Sequence, residues 1–174
     1  MFERIQMKLT RLAPALAGIA AVGLLAGCSP TGGTALVVDG NRYTESEVDQ
    51  IIDGCAEALQ VAPDQLRRQG VVGTLLLGGL FDSFGADITD EEVRAAGSQQ
   101  AQGSEQLFSV SDCEPLALAN VKTSMLAQLE PQFIEEAANN LDVQLNPRYG
   151  KWEPWTQQLL SESGSLSLPA TDIQ

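Results

Sequence analysis

One segment near the middle of the chain restricts the fold more than any other, because it is apolar on every side. Residues 71–81 have the sequence VVGTLLLGGLF. A helix that is apolar all round is usually central and buried, so other elements must surround it. Gly73, Gly78 and Gly79 each cost roughly 1 kcal/mol relative to Ala inside a helix, and close helix packing would offset that cost. The segment predicts a domain built around one buried helix.

Helical patterns flank this segment on its N-terminal side. Thr44 and Glu47 form a capping box, which is typical of a helix start. The residues after it place apolar side chains on one helical face, namely Val48, Ile51, Ile52, Cys55 and Leu59. Pro63 is well placed to begin the next helix, which leads into the central segment.

Two further helical segments are predicted on the C-terminal side. A second capping box, Thr89 with Glu92, begins a short helix, and the small polar residues 97–105 predict a loop after it. From Asp112 a long helical register is expected, and Pro131 should kink or break the helix nearby. Its apolar register consists of Leu118, Val121, Met125, Leu129, Phe133, Ala137 and Leu141.

Short strands are expected at the two ends of this helical region. Residues 35–38 form an apolar run that stops at the turn dipeptide Asp39-Gly40. Residues 142–146 alternate between polar and apolar side chains, with Val143 and Leu145 on one face. The predicted fold is therefore mainly α, with about four helices tied together by two short terminal strands that pair with each other.

Composition excludes several classes of function. The chain contains no histidine, which excludes Ser-His-Asp and Cys-His catalytic sites and histidine-based zinc sites. Its net charge is −13, whereas a nucleic-acid surface needs clustered Lys and Arg. The acidic run Asp90, Glu91 and Glu92 is the nearest approach to a metal cluster, but acids favour a helix N-terminus in any case. We therefore predict no enzyme activity, metal, cofactor or nucleic-acid partner.

The first 27 residues have the pattern of a bacterial signal peptide. A basic region is followed by the uncharged residues 12–26, a run too short to span a membrane. It ends in Leu25-Ala26-Gly27-Cys28, which resembles the lipobox of bacterial lipoproteins. That resemblance implies cleavage before Cys28 and a diacylglyceryl group, with palmitate-type acyl chains, on its thiol. An ordinary secretory signal or an apolar N-terminal helix is the alternative.

After such cleavage the chain would carry 7 basic and 22 acidic residues, a net charge of −15. Residues 28–34 are expected to be a flexible tether. The protein would then lie on the extracytoplasmic face of the cell membrane, anchored by its lipid.

Two segments resemble the ends of the N-terminal domain of SurA-type periplasmic chaperones and related parvulin-type foldases. The first is residues 36–49, LVVDGNRYTESEVD, which is similar to the strand, turn and capped helix that open that domain. The second is residues 143–152, VQLNPRYGKW, which resembles its closing segment in many lipoprotein homologues. The resemblance implies a helical peptide-binding domain over residues 35–160 that holds unfolded or secreted polypeptides.

The chain departs from that family in one important respect. The foldases carry a parvulin isomerase domain with histidines in its active site, and this sequence contains no histidine. The residues after the closing segment end in a Ser-rich stretch, 161–174, that is expected to be disordered. The resemblance therefore implies a chaperone domain without prolyl isomerase activity.

If Cys28 carries lipid, Cys55 and Cys113 remain, an even number in an oxidising compartment. We predict a disulfide between them, with two separate buried thiols as the alternative. Trp152 and Trp155 are interpreted either as a cover over the helical core or as a binding platform.

Apolar residues around the central segment are the candidates for contact with client polypeptides, since Leu, Phe and Met suit promiscuous binding. The set comprises Leu76, Leu77, Leu80, Phe81, Phe84 and Met125. For each of them an ordinary core position is the alternative. Two functions are consistent with these patterns: a chaperone-like module for many clients, or a structural or substrate-binding lipoprotein that docks one specific partner of the envelope.

The lipid anchor gives the first testable prediction. Cells that produce the protein should incorporate radioactive fatty acid into it, and the Cys28→Ser variant should lose that label because the acylated thiol is gone. Gel autoradiography measures the incorporation. Label that persists in the variant would contradict the assignment of Cys28.

Overall fold

Helices make up most of the residues that the computed structural model describes, which are 32–85, 88–100, 104–154 and 160–161. The chain begins with strands β1 (Thr34–Val38) and β2 (Asn41–Thr44). Six α-helices follow in this part: α1 (Glu45–Leu59), α2 (Arg68–Asp82), α3 (Asp90–Gln100), α4 (Ser104–Phe108), α5 (Glu114–Leu126) and α6 (Pro131–Asn140). The described strands after them are β3 (Val143–Leu145), β4 (Lys151–Trp152) and β5 (Leu160–Ser161). The predicted mainly α class is confirmed.

Three of the strands form an antiparallel sheet in the order β2-β1-β3. The two end strands pair as predicted, with Leu36 opposite Leu145 and Val38 opposite Val143. Strand β2 was not predicted, and it forms a hairpin with β1 across the turn at Asp39-Gly40. Both turn residues have positive φ, 46° and 80°, which suits a tight hairpin connection.

The boundaries of the predicted tether and tail are slightly wrong. Thr34, which was assigned to the tether, is the first residue of β1 and is buried. Ser161, which was assigned to the tail, belongs to β5, which pairs with β4. The predicted signal peptide, Cys28 and residues 162–174 lie outside the described residues.

Both predicted capping boxes are present. At the start of α1, the Glu47 amide donates to Thr44 Oγ1 at 3.2 Å, and the Thr44 amide donates to Glu47 Oε2 at 2.7 Å. Before α3, the corresponding distances between Glu92 and Thr89 are 3.3 and 2.8 Å. The Thr44 amide and hydroxyl both donate hydrogen bonds to the carboxylate of Glu47. These bonds stabilise its charged form and lower its pKa, and the bond from the amide has the larger effect.

Helix α2 is the central element, as its composition predicts. Its buried residues are Val71, Val72, Gly73, Leu75, Leu76, Gly78, Gly79, Leu80 and Phe81. Two of its glycines lie where neighbouring elements approach most closely. A Cβ on Gly78 would lie 2.7 Å from Ala119 Cβ of α5, and a Cβ on Gly79 would lie 2.6 Å from the methyl groups of Val38 in β1. Glycine at these positions lets α2 pack against both a helix and the sheet.

Two helix boundaries around residues 97–105 differ from the predictions. Residues 97–100 continue α3, and α4 begins at Ser104, so the loop predicted over residues 97–105 is wrong at both ends. Gly97 is buried in that helix, where an added Cβ would lie 2.7 Å from Val121 Cγ2. Tertiary packing thus overrides the polar composition of this segment.

The predicted long helix from Asp112 is also divided. Of the two expected effects of Pro131, a kink or a break, the structure shows a break: Pro131 begins a new helix, α6, which agrees with the preference of proline for the first helical turn. Pro63 likewise starts only a three-residue 3₁₀ turn, Pro63–Gln65, and α2 begins at Arg68. In the part of the chain that the structure describes, six α-helices therefore replace the predicted number of about four.

Substitution of the α2 glycines tests the close packing. We expect Gly78→Ala to destabilise the fold by about 1–3 kcal/mol, because the new methyl group would overlap the backbone and side chain of Ala119. Gly70→Ala is the matched control in the same helix, since its nearest neighbour would be Arg67 Cβ at 4.0 Å. It should be neutral or stabilising by up to about 1 kcal/mol, through helix propensity. Denaturant unfolding measures both, and equal effects would contradict this account of α2.

Candidate functional site

The structure separates the six candidate client-binding residues into two groups. Leu76 and Leu80 are fully buried and Phe81 is nearly so, so these three belong to the core and present no surface to a client. Leu77, Phe84 and Met125 are half-buried and pack against a cluster around Leu80, Phe81, Leu126 and Ala138. For those three residues the structure therefore supports the alternative of an ordinary core position, and client binding stays a prediction for the other three.

A groove beside this cluster provides the apolar surface instead. It has a volume of about 370 Å³ and lies between the C-terminal end of α2 and helix α6. Its apolar lining comes from Phe84, Phe133, Ala137 and Leu141. Phe133 is 50% exposed, and Leu129, in the link before α6, is 38% exposed.

Carboxylates and amides complete the groove, in particular Asp39 from the hairpin turn, together with Glu136 and Asn140 from α6. No lysine or arginine lines it among the described residues. Phe133 was predicted to continue the buried register of α5, but the break before Pro131 rotates it outward. That break was the available sequence signal for an exposed aromatic residue.

A second apolar cavity, of about 410 Å³, lies at the other end of α2. It is bounded by Leu59 and Leu66 on one side and by Leu107 and Leu116 on the other. Leu59 is 42% exposed. Its position makes it a useful comparison for Phe133, because both are large apolar side chains at the mouth of a cavity.

A third cleft, between α2 and α5, is polar. Lys122 is largely buried there, and its Nζ lies 2.9 Å from Asp82 Oδ1 and 3.1 Å from Asp90 Oδ1. Burial alone would lower the pKa of Lys122, but the two carboxylates outweigh it and the pKa is raised. The amine is therefore held in its charged form, which is not the form of a nucleophile.

The closing segment and the start of α1 meet around one carboxylate, that of Glu45. Tyr149 donates its hydroxyl to Glu45 Oε2, and Asn146 Nδ2 donates to Glu45 Oε1 at 3.2 Å. Arg68 Nη1 lies 3.2 Å from Oε2, and Arg148 Nη1 lies 3.7 Å from it. Burial, followed by the hydrogen bond to Glu45, raises the pKa of Tyr149. The Asn-Pro-Arg-Tyr sequence thus fastens the two ends of the domain together.

Cys55 and Cys113 lie at disulfide distance, with their Cα atoms 4.6 Å apart. Cys55 is in α1, and Cys113 ends the 3₁₀ turn Ser111–Cys113 directly before α5. Both side chains are buried in the main core. The covalent bond itself remains a prediction.

Two further groups of candidate residues make contacts within the fold. Trp152 is half-buried and packs against both apolar clusters, so it covers the core, whereas Trp155 lies outside the described residues. In the acidic run, Asp90 pairs with Lys122 and Glu92 caps α3. Among the described residues, no group of three histidine, cysteine or acidic side chains is placed to hold a metal ion.

No described helix is both long enough and apolar enough to cross a membrane. No family model matches the chain, and none of the curated proteins or solved structures is a match for it.

The cysteine pair gives a prediction for solution chemistry. Thiol titration of the denatured, unreduced protein should detect no free thiol from Cys55 or Cys113. Reduction should lower the free energy of unfolding by about 4 kcal/mol, because the bond closes a loop between residues 58 positions apart. Denaturant unfolding with and without reductant measures that difference. Two thiols reacting before reduction would show that the cysteines are separate.

Proposed function

We propose that this protein is a lipid-anchored, chaperone-like module of the cell envelope that binds apolar segments of unfolded or secreted polypeptides. The groove between α2 and α6 is the proposed binding site. It acts by holding a client and not by covalent chemistry. The protein has no prolyl isomerase activity under this proposal.

The exposure of Phe133 is the observation that carries the proposal. A phenylalanine left half in water at the mouth of an apolar groove loses the stabilisation that burial would give it. A client side chain in the groove would cover Phe133 together with Phe84 and Leu141. Aromatic side chains bury large areas and tolerate many partners, which suits a site for diverse sequences.

The sequence resemblance supports the same function. The residues that resemble the opening and closing segments of the SurA-type N-terminal domain form β1, β2 and α1 at one end and β3 to β4 at the other. Helix α6 is followed by β3 after only two residues, with no domain inserted between them. Membership of that family, acylation of Cys28 and the extracytoplasmic location are parts of the proposal.

The size of the groove favours a second candidate function. A volume of about 370 Å³ holds one or two side chains and not a long stretch of chain. A lipoprotein that docks one apolar motif of a specific envelope partner would need no more. Client range separates the two functions, because a chaperone protects several unrelated proteins and a docking protein does not.

Replacement of Phe133 tests the proposal. With the protein attached to neutral vesicles through its lipid, we expect suppression of aggregation of several unrelated unfolded proteins. Phe133→Ser should require roughly fivefold more protein for the same suppression, since half of a phenylalanine side chain contributes about 1 kcal/mol of apolar contact. Light scattering measures aggregation.

The matched control is Leu59→Ser, which removes a similarly exposed apolar side chain from the other end of α2. It should leave suppression unchanged. An equal loss in both variants would contradict the assignment of the groove. Suppression of no client, with a single partner recovered by crosslinking, would favour the docking function.

A further inference from the structure

The two ends of α2 differ in charge. Arg67 and Arg68 lie at its N-terminal end, where the helix dipole adds partial positive charge. Arg148 reaches the same place, because it and Arg68 both approach the carboxylate of Glu45. Lys151 follows in β4 and is exposed. We call this group of four cations, Arg67, Arg68, Arg148 and Lys151, the basic end.

Carboxylates lie among these cations as well. Glu45 and Asp49 contact Arg68 directly, and Asp64 and Glu153 are close to the basic end in the chain. The basic end is therefore roughly balanced in charge. It differs from the rest of a chain whose net charge is −13.

The groove lies at the opposite, acidic end of α2. Asp39 and Glu136 line it, and Asp142 adjoins the hairpin turn, where its carbonyl accepts from the Asp39 amide at 2.9 Å. Helix α2 has 15 residues, which separates the two ends by about 22 Å. The cations Lys122 and Arg42 also lie toward this end, but the carboxylates there outnumber them, so the domain has a permanent charge asymmetry along α2.

The chain enters the domain at the basic end. The Gly33 carbonyl accepts from the Glu45 amide at 2.9 Å, and the Thr34 carbonyl accepts from Asn146 Nδ2 at 3.0 Å. Thr34 is only six positions after Cys28, so the tether spans at most about 20 Å. A lipid on Cys28 would therefore keep this end of the domain close to the bilayer.

We propose that the basic end faces anionic lipid headgroups and that the groove faces away from the membrane. The inference rests on the proposed lipid anchor. An anionic surface attracts nearby Lys and Arg side chains and repels carboxylates over about a Debye length. The tether already holds the basic end close to the membrane. Repulsion between the carboxylates and the anionic surface then opposes rotation of the acidic end toward the membrane. The client groove then opens about 20 Å above the headgroups, within reach of polypeptides that leave the membrane.

Chemical footprinting of the acylated protein tests this orientation. The protein, purified from membranes, is placed in vesicles of phosphatidylcholine alone or of equal parts phosphatidylcholine and phosphatidylglycerol, and its arginines are modified with phenylglyoxal. Arg94 of α3, which pairs with Glu114 of α5, serves as the internal reference. The reactivity of Arg67 and Arg148 relative to Arg94 should fall roughly fivefold on the anionic vesicles, the factor expected for one Lys or Arg side chain held at such a surface. Salt at about 1 M should remove the difference, since the Debye length is then only about 3 Å.

Two double variants distinguish the effect of where the charge lies from the effect of the net charge of the protein. Arg67→Gln with Lys151→Gln removes two cations from the basic end, and protection of Arg148 should be lost. Gln128→Glu with Asn139→Asp is the matched control, because it lowers the net charge equally near the groove and at exposed positions. The control should keep the protection.

The outcomes distinguish this inference from the proposal on which it rests. Equal reactivity on both kinds of vesicle, in protein whose mass shows the acyl group on Cys28, would overturn the orientation and leave the anchor intact. Equal loss of protection in the two double variants would also overturn it. An unacylated Cys28 in the mass spectrum would overturn the anchor, and the orientation with it.

Discussion

Strand β1 is the element on which the rest of the domain depends, because it pairs along both of its edges. On one edge it forms a hairpin with β2, and on the other it pairs with β3 from the far end of the described domain. The side chains of Leu36 and Val38 in β1 are buried, and Val38 lies close to Gly79 of α2. A strand pair alone is marginal in water, so the burial of these side chains against α2 supplies the stability that the sheet lacks.

Features that depend on neighbouring residues could be predicted from the sequence. The capping boxes at Thr44 and Thr89 each need only a partner three residues away, and the end strands follow from short apolar runs. Strand β2 could not be predicted, since its residues are polar and only the edge of β1 makes them a strand. The helical conformation of residues 97–100 could not be predicted either, because the close approach of Gly97 to Val121 and Phe108 is contained in no local pattern.

The candidate site could be predicted only in part, because apolar composition does not separate a core from a groove. Leu76 and Leu80 are apolar like Phe84, yet the first two are fully buried in core clusters, whereas Phe84 borders the groove. The position of Phe133 depends on where one helix stops and the next starts. A helical register that continues through Pro131 predicts a buried Phe133. Because α6 is a separate helix that begins at Pro131, Phe133 lies at the surface instead.

The link between β1 and the closing segment has a consequence for the order in which the domain is completed. A chain released N-terminus first presents β1 early, while Asn146, which holds the Thr34 carbonyl, is 112 residues further along. Contacts over such separations form late, since the intervening chain must first be ordered. Until residues 143–149 emerge, β1 has an unpaired edge and Glu45 lacks Tyr149. The nascent domain is therefore itself an incompletely folded polypeptide with an open strand, and it matures only when its last segment is free.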